Sequence, residues 1–218
     1  MKNRYIYIVI FLGFVCSAII SIISVKNFDT NKNFQNQFIK GSSSHYYSSA
    51  DKVLTKFKKN NEFFATGDFD AAYLPQYFIG TIYFFLGEEL YKKNTKEELI
   101  EPKINNKKEI FFIIQALFYY FAIIFLYSKL KKILEYKYCL FIVVFLAFEP
   151  TIIQYHSSFL SESFYFTLLI LVIIYLIDLP KKIYSNFLLG ILIGLLSLQR
   201  SVAMYIPIIF IIYYIFIY

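Results

Sequence analysis

Long apolar runs separated by short polar corners set the pattern of this chain. Tyr5 to Val25 is the first such run, and about 20 apolar residues are enough for a helix to cross a hydrocarbon core. Lys26 to Lys108 is largely polar, but within it Tyr47, Ala50, Leu54 and Phe57 recur at helical spacing over Tyr46 to Phe57. Three further apolar helices are predicted at Ile110 to Ser128, Tyr138 to about His156, and Ser161 to Ile177. Ile183 to Tyr218 is apolar almost throughout. One helix of that length would run about 54 Å at about 1.5 Å per residue, against a hydrocarbon core of about 30 Å. It must break, and Gln199-Arg200-Ser201 is the one polar place for the break.

Two local features refine this pattern. Pro150 follows Glu149 inside the third apolar run, so a kink is expected there, with a freed carbonyl for neighbouring polar groups to satisfy. Ser161 then serves as N-cap to a helix with Glu162 in its first turn. Ala71 to Leu90 is the ambiguous element, apolar enough to span yet interrupted by Pro75, Gln76 and Gly80 and closed by Glu88-Glu89. Charge decides between its two readings. If it spans, the lysine-rich corners at Lys129 to Lys137 and Lys181-Lys182 fall outside; if it lies in the interface, both join Lys2 and Arg4 inside. The second arrangement satisfies the positive-inside rule.

Composition agrees with a membrane protein. Hydrophobic residues make up 58% of the chain and the mean hydropathy is +0.55, which excludes an ordinary soluble domain. The net charge of +7 does not imply nucleic acid, because short-loop lysines beside spans are explained by topology. Cys16 and Cys139 both lie in apolar runs, so neither a disulfide framework nor a metal cluster is indicated. A cleaved signal peptide competes with a retained anchor for Tyr5 to Val25. The run is long for a signal and no small-x-small site follows it, so the anchor is preferred. The expected fold is all-α: a multi-spanning transmembrane helix bundle with a first transmembrane helix (1–25), a long outer loop carrying short juxtamembrane helices (26–108) and a membrane domain (109–218). The expected location is the cell (inner) membrane, multi-pass, with a cytoplasmic amino terminus.

Several motifs occur in a telling order. Tyr46/Tyr47-x-x-Ala50 comes first, followed by Tyr73-Leu74-Pro75 and Phe85-Leu86-Gly87. Later come Pro150, Ser161-Glu162 opening a helix, and Gly190-x-x-x-Gly194-Leu195 with Arg200 beyond. This order resembles the GT-C class of polyprenyl-linked glycosyltransferases, which includes protein O-mannosyltransferases and the lipid A aminoarabinose transferase. The resemblance covers the amino-terminal half of a usual member, so the chain is expected to be a fragment or truncated gene. It implies a polyprenyl-phosphate-linked sugar as donor and a glycan, lipid or protein as acceptor, with membrane lipid around the bundle. A divalent metal is left open, and no nucleic acid is implied. In this class a first-loop carboxylate takes the proton from the acceptor hydroxyl as that oxygen attacks the anomeric carbon, with inversion. Basic residues hold the departing lipid phosphate.

The acid expected just before the Tyr-x-x-x-Ala element falls at Ser42 to Ser44, where none stands. Asp68 and Asp70 have the spacing of an acidic pair, and Asp51 lies nearer. These three are the catalytic candidates; the plainer reading of Gly67-Asp68 is a solvated turn. Glu162, Arg200 and His156 are the substrate-binding candidates. Against them stand compensation of a helix dipole for Glu162, an arginine reaching outer headgroups for Arg200, and a helix-end polar residue for His156. Glu149 can equally pair with a polar group of another helix, and the Gly190/Gly194 spacing predicts close helix packing rather than a ligand. Two rival functions remain: a transporter or flippase-like bundle with Glu149 and Arg200 along a path, and a non-catalytic scaffold or degenerate relative. Paired broken spans in two related halves would mark a transporter, and no internal repeat is visible.

Overall fold

The computed structural model describes residues 2–30, 50–55, 73–86, 108–158, 161–178 and 183–199, together with Tyr205 and Ile208. Its helices are α1 (Lys2–Thr30), α2 (Tyr73–Phe85), α3 (Lys108–Leu130), α4 (Tyr136–Phe148), α5 (Pro150–His156), α6 (Ser161–Asp178) and α7 (Ile183–Gln199). Residues 50–55 add a short helical stretch. No strand occurs among the described residues.

Arg4–Val25 in α1 and Glu109–Leu130 in α3 are long and apolar enough to cross a membrane, and α4 with α5 makes a third crossing if the bent pair is one span. These coincide with three of the expected runs. The apolar parts of α6 and α7, Glu162–Ile177 and Asn186–Leu198, are shorter. Helices of that length cover about 20–24 Å, less than a hydrocarbon core of about 30 Å. The runs expected as crossings at Ser161–Ile177 and from Ile183 onward form α6, of 18 residues, and α7, of 17, and neither is among the candidate spans of the described residues. Gln199 ends α7, and the rest of the expected break, Arg200-Ser201, lies outside the described residues, as does the run after it apart from Tyr205 and Ile208.

The outward faces are lipid-like. Phe141 and Phe187 are each 71% exposed, and Phe11, Phe125 and Phe145 are also uncovered. A soluble monomer rarely carries so much contiguous apolar surface, whereas hydrocarbon solvates it without penalty. In such a solvent, burying apolar area contributes little to helix association, so close packing and polar contacts must hold the bundle.

Aromatic contacts fix the directions of the long helices. Tyr7 meets Tyr127 with ring centroids 5.7 Å apart, and Phe14 meets Tyr120 at 5.9 Å. Val25 shares a buried cluster with Phe111 and Phe112. Rising numbers in α1 therefore match falling numbers in α3, and the two helices are antiparallel. Arg4 in consequence lies at the end of the bundle where α3 delivers Lys129, Lys131 and Lys132. α1 packs on α4 as well, through a cluster that joins Ile6 and Ile10 to Cys139, Val143 and Ala147.

The opposite end carries the small elements. Ala50 and Leu54 are buried with Val25, Ile79, Tyr83, Phe111 and Phe112. A Cβ on Gly80 would stand 3.2 Å from the Ala50 carbonyl oxygen, so the 50–55 stretch rests directly on α2. Phe78 of α2 stacks on Phe164 at 4.3 Å and touches Phe111 and Phe118 edge-on. α7 packs on α6 through Leu168, Val172 and Leu196, with Leu74 of α2 against the same cluster. The glycine spacing of α7 takes no part in this contact. Nothing described lies within 4 Å of where a Cβ on Gly190 or Gly194 would stand.

Candidate functional site

The most elaborated polar region is the break between α4 and α5. A residue preceding proline is sterically pushed out of the helical region. Glu149 accordingly has φ −63° and ψ 116°, and the two helices bend by 45° across it. Pro150 has no N–H, so the Leu146 carbonyl four residues back loses its helical donor. Tyr119 of α3 supplies one, its hydroxyl donating to Leu146 O at 2.9 Å. Tyr120 does the same for the next carbonyl, donating to Ala147 O at 2.8 Å. On the other side of the break, Glu149 Oε2 accepts from the Ile152 N–H at 2.7 Å and caps α5. The expected kink is present, and adjacent tyrosines of a neighbouring helix satisfy the carbonyls it frees.

Gly13 belongs to the same construction. A Cβ there would meet the Ala147 carbonyl oxygen at 2.7 Å, Tyr120 Cε1 at 2.9 Å and Ala147 Cβ at 3.0 Å. One turn further along α1, Ser17 Oγ lies 3.0 Å from His156 Nδ1, and both residues are fully buried. The His156 ring also lies 4.8 Å from that of Tyr119 and 6.0 Å from that of Tyr120. Among the described residues its Nε2 has no hydrogen-bond partner, nor has the buried Ser21 Oγ one turn beyond Ser17. Gln115, a turn before Tyr119, donates from Nε2 to Ser158 O at 3.1 Å and ties α3 to the corner after α5. α1, α3 and the bent α4–α5 pair thus meet along a polar seam.

The sequence candidates are distributed as follows. His156 is 0% exposed, so it stands behind the surface and fastens α5 to α1. Glu162 is half-buried in the first turn of α6, and Asp51 is half-buried in the 50–55 stretch. Their elements occupy the same end of the bundle, opposite Arg4, through the Phe78 stack on Phe164 and the rest of Ala50 on Gly80. Asp68, Asp70 and Arg200 lie outside the described residues, as do Lys181 and Lys182. Glu149 caps its own following helix instead of pairing with a polar group of another. The described residues hold no group of three or more His, Cys, Asp or Glu side chains able to share a metal ion.

Sequence reasoning passed over Ser17, Gln115, Tyr119 and Tyr120. Two signals were present: Gln115 is a lone amide inside a span, and Gly13-x-x-x-Ser17-x-x-x-Ser21 is a small-residue stripe on one helix face. The tyrosines carried no signal, since a span rich in aromatics gives no reason to single out two of them. Comparison of the chain with protein-family models, curated proteins and solved structures finds no match.

Proposed function

We propose that this chain is an integral-membrane glycosyltransferase of the polyprenyl-phosphate-sugar type, acting on the outer face of the membrane. The observation that carries this reading is the gathering of the 50–55 stretch, α2 and the amino terminus of α6 at one end of the bundle, away from Arg4 and the lysine corner. Under the positive-inside rule, Arg4 and Lys129 to Lys137 are cytoplasmic. The end bearing Asp51 and Glu162 is then outer. Antiparallel α1 and α3, each crossing once, leave the connection between them on that outer side. At 13 residues, α2 covers about 20 Å, which supports an interfacial helix over a crossing.

In this reading a carboxylate of the first loop, Asp68 or Asp70 with Asp51 as the nearer alternative, accepts the proton of the acceptor hydroxyl. The attacking oxygen displaces the lipid phosphate with inversion. Arg200 holds that phosphate, whose charge grows as the bond breaks, through the two parallel hydrogen bonds a guanidinium can offer. Glu162 meets the substrate from the first turn of α6, and His156 positions α5 from behind.

The broken α4–α5 span is the feature that would favour a transporter, where unwound carbonyls coordinate ions. Here the Leu146 and Ala147 carbonyls are taken by tyrosine hydroxyls, and the amino end of α5 is taken by its own carboxylate. Those groups are committed to structure, which favours the enzyme.

The test is saturable binding of undecaprenyl phosphate to the purified protein in detergent. Wild-type protein should bind it, Arg200→Lys should bind more weakly and Arg200→Ala more weakly still. No binding by wild type, or equal binding by all three, would remove the proposal.

A further inference from the structure

The turn joining α3 to α4 combines two kinds of exposed side chain that no single solvent suits. Lys131, Lys132 and Lys137 are exposed, Lys129 closes α3, and Arg4 is exposed at the same end of the bundle. Between these cations Ile133 is 60% exposed and Leu134 is uncovered beside it. The turn is not loose: Lys132 N–H donates to Lys129 O, and both Ile133 and Leu134 N–H donate to Leu130 O at 3.0 and 2.8 Å. The backbone therefore holds an apolar pair out from the protein with cations on either side.

Water would solvate the lysines and not Ile133 or Leu134; hydrocarbon would do the reverse. The membrane interface accepts both, with the apolar pair at the acyl boundary and the lysines reaching back to headgroups. Tyr136 and Tyr138 beside the turn are residues typical of that level. Charge selects the headgroup. Glu135 is the one acid in the turn and is paired with Lys137 at 3.1 Å, while Lys131 lies over the Tyr127 ring at 5.8 Å. We propose that this turn is a docking surface for anionic phospholipids, binding their phosphates through Lys131 and Lys132 and seating Ile133 and Leu134 in the same leaflet. The inference rests on the helices lying in a membrane and is independent of the glycosyltransferase reading.

The experiment uses the full chain with Cys16→Ser and Cys139→Ser, carrying a bimane fluorophore on Ile133→Cys or, separately, on Leu134→Cys. Each labelled protein is placed in nanodiscs of phosphatidylcholine and phosphatidylglycerol, with brominated acyl chains on one lipid or the other. Both brominated lipids should quench the label, with brominated phosphatidylglycerol the stronger at equal mole fraction. Lys131→Gln and Lys132→Gln should each reduce the preference for phosphatidylglycerol about fivefold, and high salt should reduce it in wild type. Inorganic phosphate, compared with chloride at matched ionic strength, should not displace the lipid. Equal quenching by the two lipids, unchanged in the lysine variants, would overturn the anionic preference. Absence of quenching by either lipid at both label positions would overturn the seating of the turn in the leaflet and point to an acidic protein segment as its partner. Displacement by free phosphate would overturn the choice of lipid as ligand.

Discussion

Gly13→Ala offers the sharpest test of how α1 is held. In an ordinary helix this exchange is favourable by about 1 kcal/mol, because alanine loses less backbone entropy. Here the new methyl would stand 2.7 Å from the Ala147 carbonyl oxygen and 3.0 Å from Ala147 Cβ. Overpacking of this kind costs about 1–3 kcal/mol. The carbonyl cannot swing away freely, since it accepts from Tyr120 Oη at 2.8 Å and losing that bond costs about 1–1.5 kcal/mol more. The net expectation is a destabilisation of about 2 kcal/mol. Gly190→Ala and Gly194→Ala are matched controls, because no described atom lies within 4 Å of either new methyl. They should be neutral or stabilising by up to about 1 kcal/mol, so the contrast approaches about 3 kcal/mol. Cys139 is buried and Cys16 exposed, so a maleimide dye that fluoresces on reacting with thiols reports opening of the bundle in a Cys16→Ser background. The temperature at which the dye gains access to Cys139 is the readout. An access temperature for Gly13→Ala at or above that of the parent would refute the close approach of α1 and α4.

Three further expectations use the same assay or simple labelling. Tyr119→Phe should destabilise by about 1–2 kcal/mol by leaving the Leu146 carbonyl unpaired. In a Pro150→Ala background the restored N–H serves that carbonyl, so the same substitution should cost clearly less; equal costs in both backgrounds would refute the role given to the tyrosine. Glu149→Ala should lose about 1 kcal/mol of N-cap stability while Glu149→Gln, which keeps an acceptor oxygen, loses less; identical losses would show that the carboxylate does something other than cap. For topology, single cysteines at Lys131 and Ser157 in a background lacking Cys16 and Cys139 can be probed in intact cells with an impermeant reagent. Ser157→Cys should label from outside and Lys131→Cys should not; the reverse pattern would invert the bundle.

The apolar periodicity was enough to locate α1, α3 and the bent α4–α5 pair, because span length and a proline inside a span are local properties. Pro150 even predicted its own remedy, a freed carbonyl met by a polar neighbour. Which neighbour was not legible, because it depends on the antiparallel pairing of α1 with α3 and on the rotation of α3 that turns Tyr119 and Tyr120 inward. The helix-packing signal was assigned to Gly190 and Gly194, whereas the close approach occurs at Gly13. Spacing alone says that a helix face is smooth; only the neighbour's position says whether anything uses it. Similarly, Glu149 read as an intramembrane acid in search of a partner on another helix. Its partner was three residues away, because the bend at Pro150 created a helix start that a continuous apolar run concealed. His156 was read as a substrate-binding candidate or a helix-end polar residue; it closes α5 and is buried against Ser17.

The contact between Ser17 and His156 joins residues 139 apart in sequence, and that separation sets a schedule for biosynthesis. At roughly 5–20 residues per second of translation, α5 follows α1 by roughly 7–28 s. Through that interval Ser17 lacks the His156 that closes the seam. Nothing in α1 itself can complete the seam, so α1 keeps an unclosed polar face until α5 arrives. An insertase or chaperone that shelters a small polar helix face would have its clearest substrate during that pause, and slowing translation between α1 and α3 should lengthen the exposure without altering the final structure.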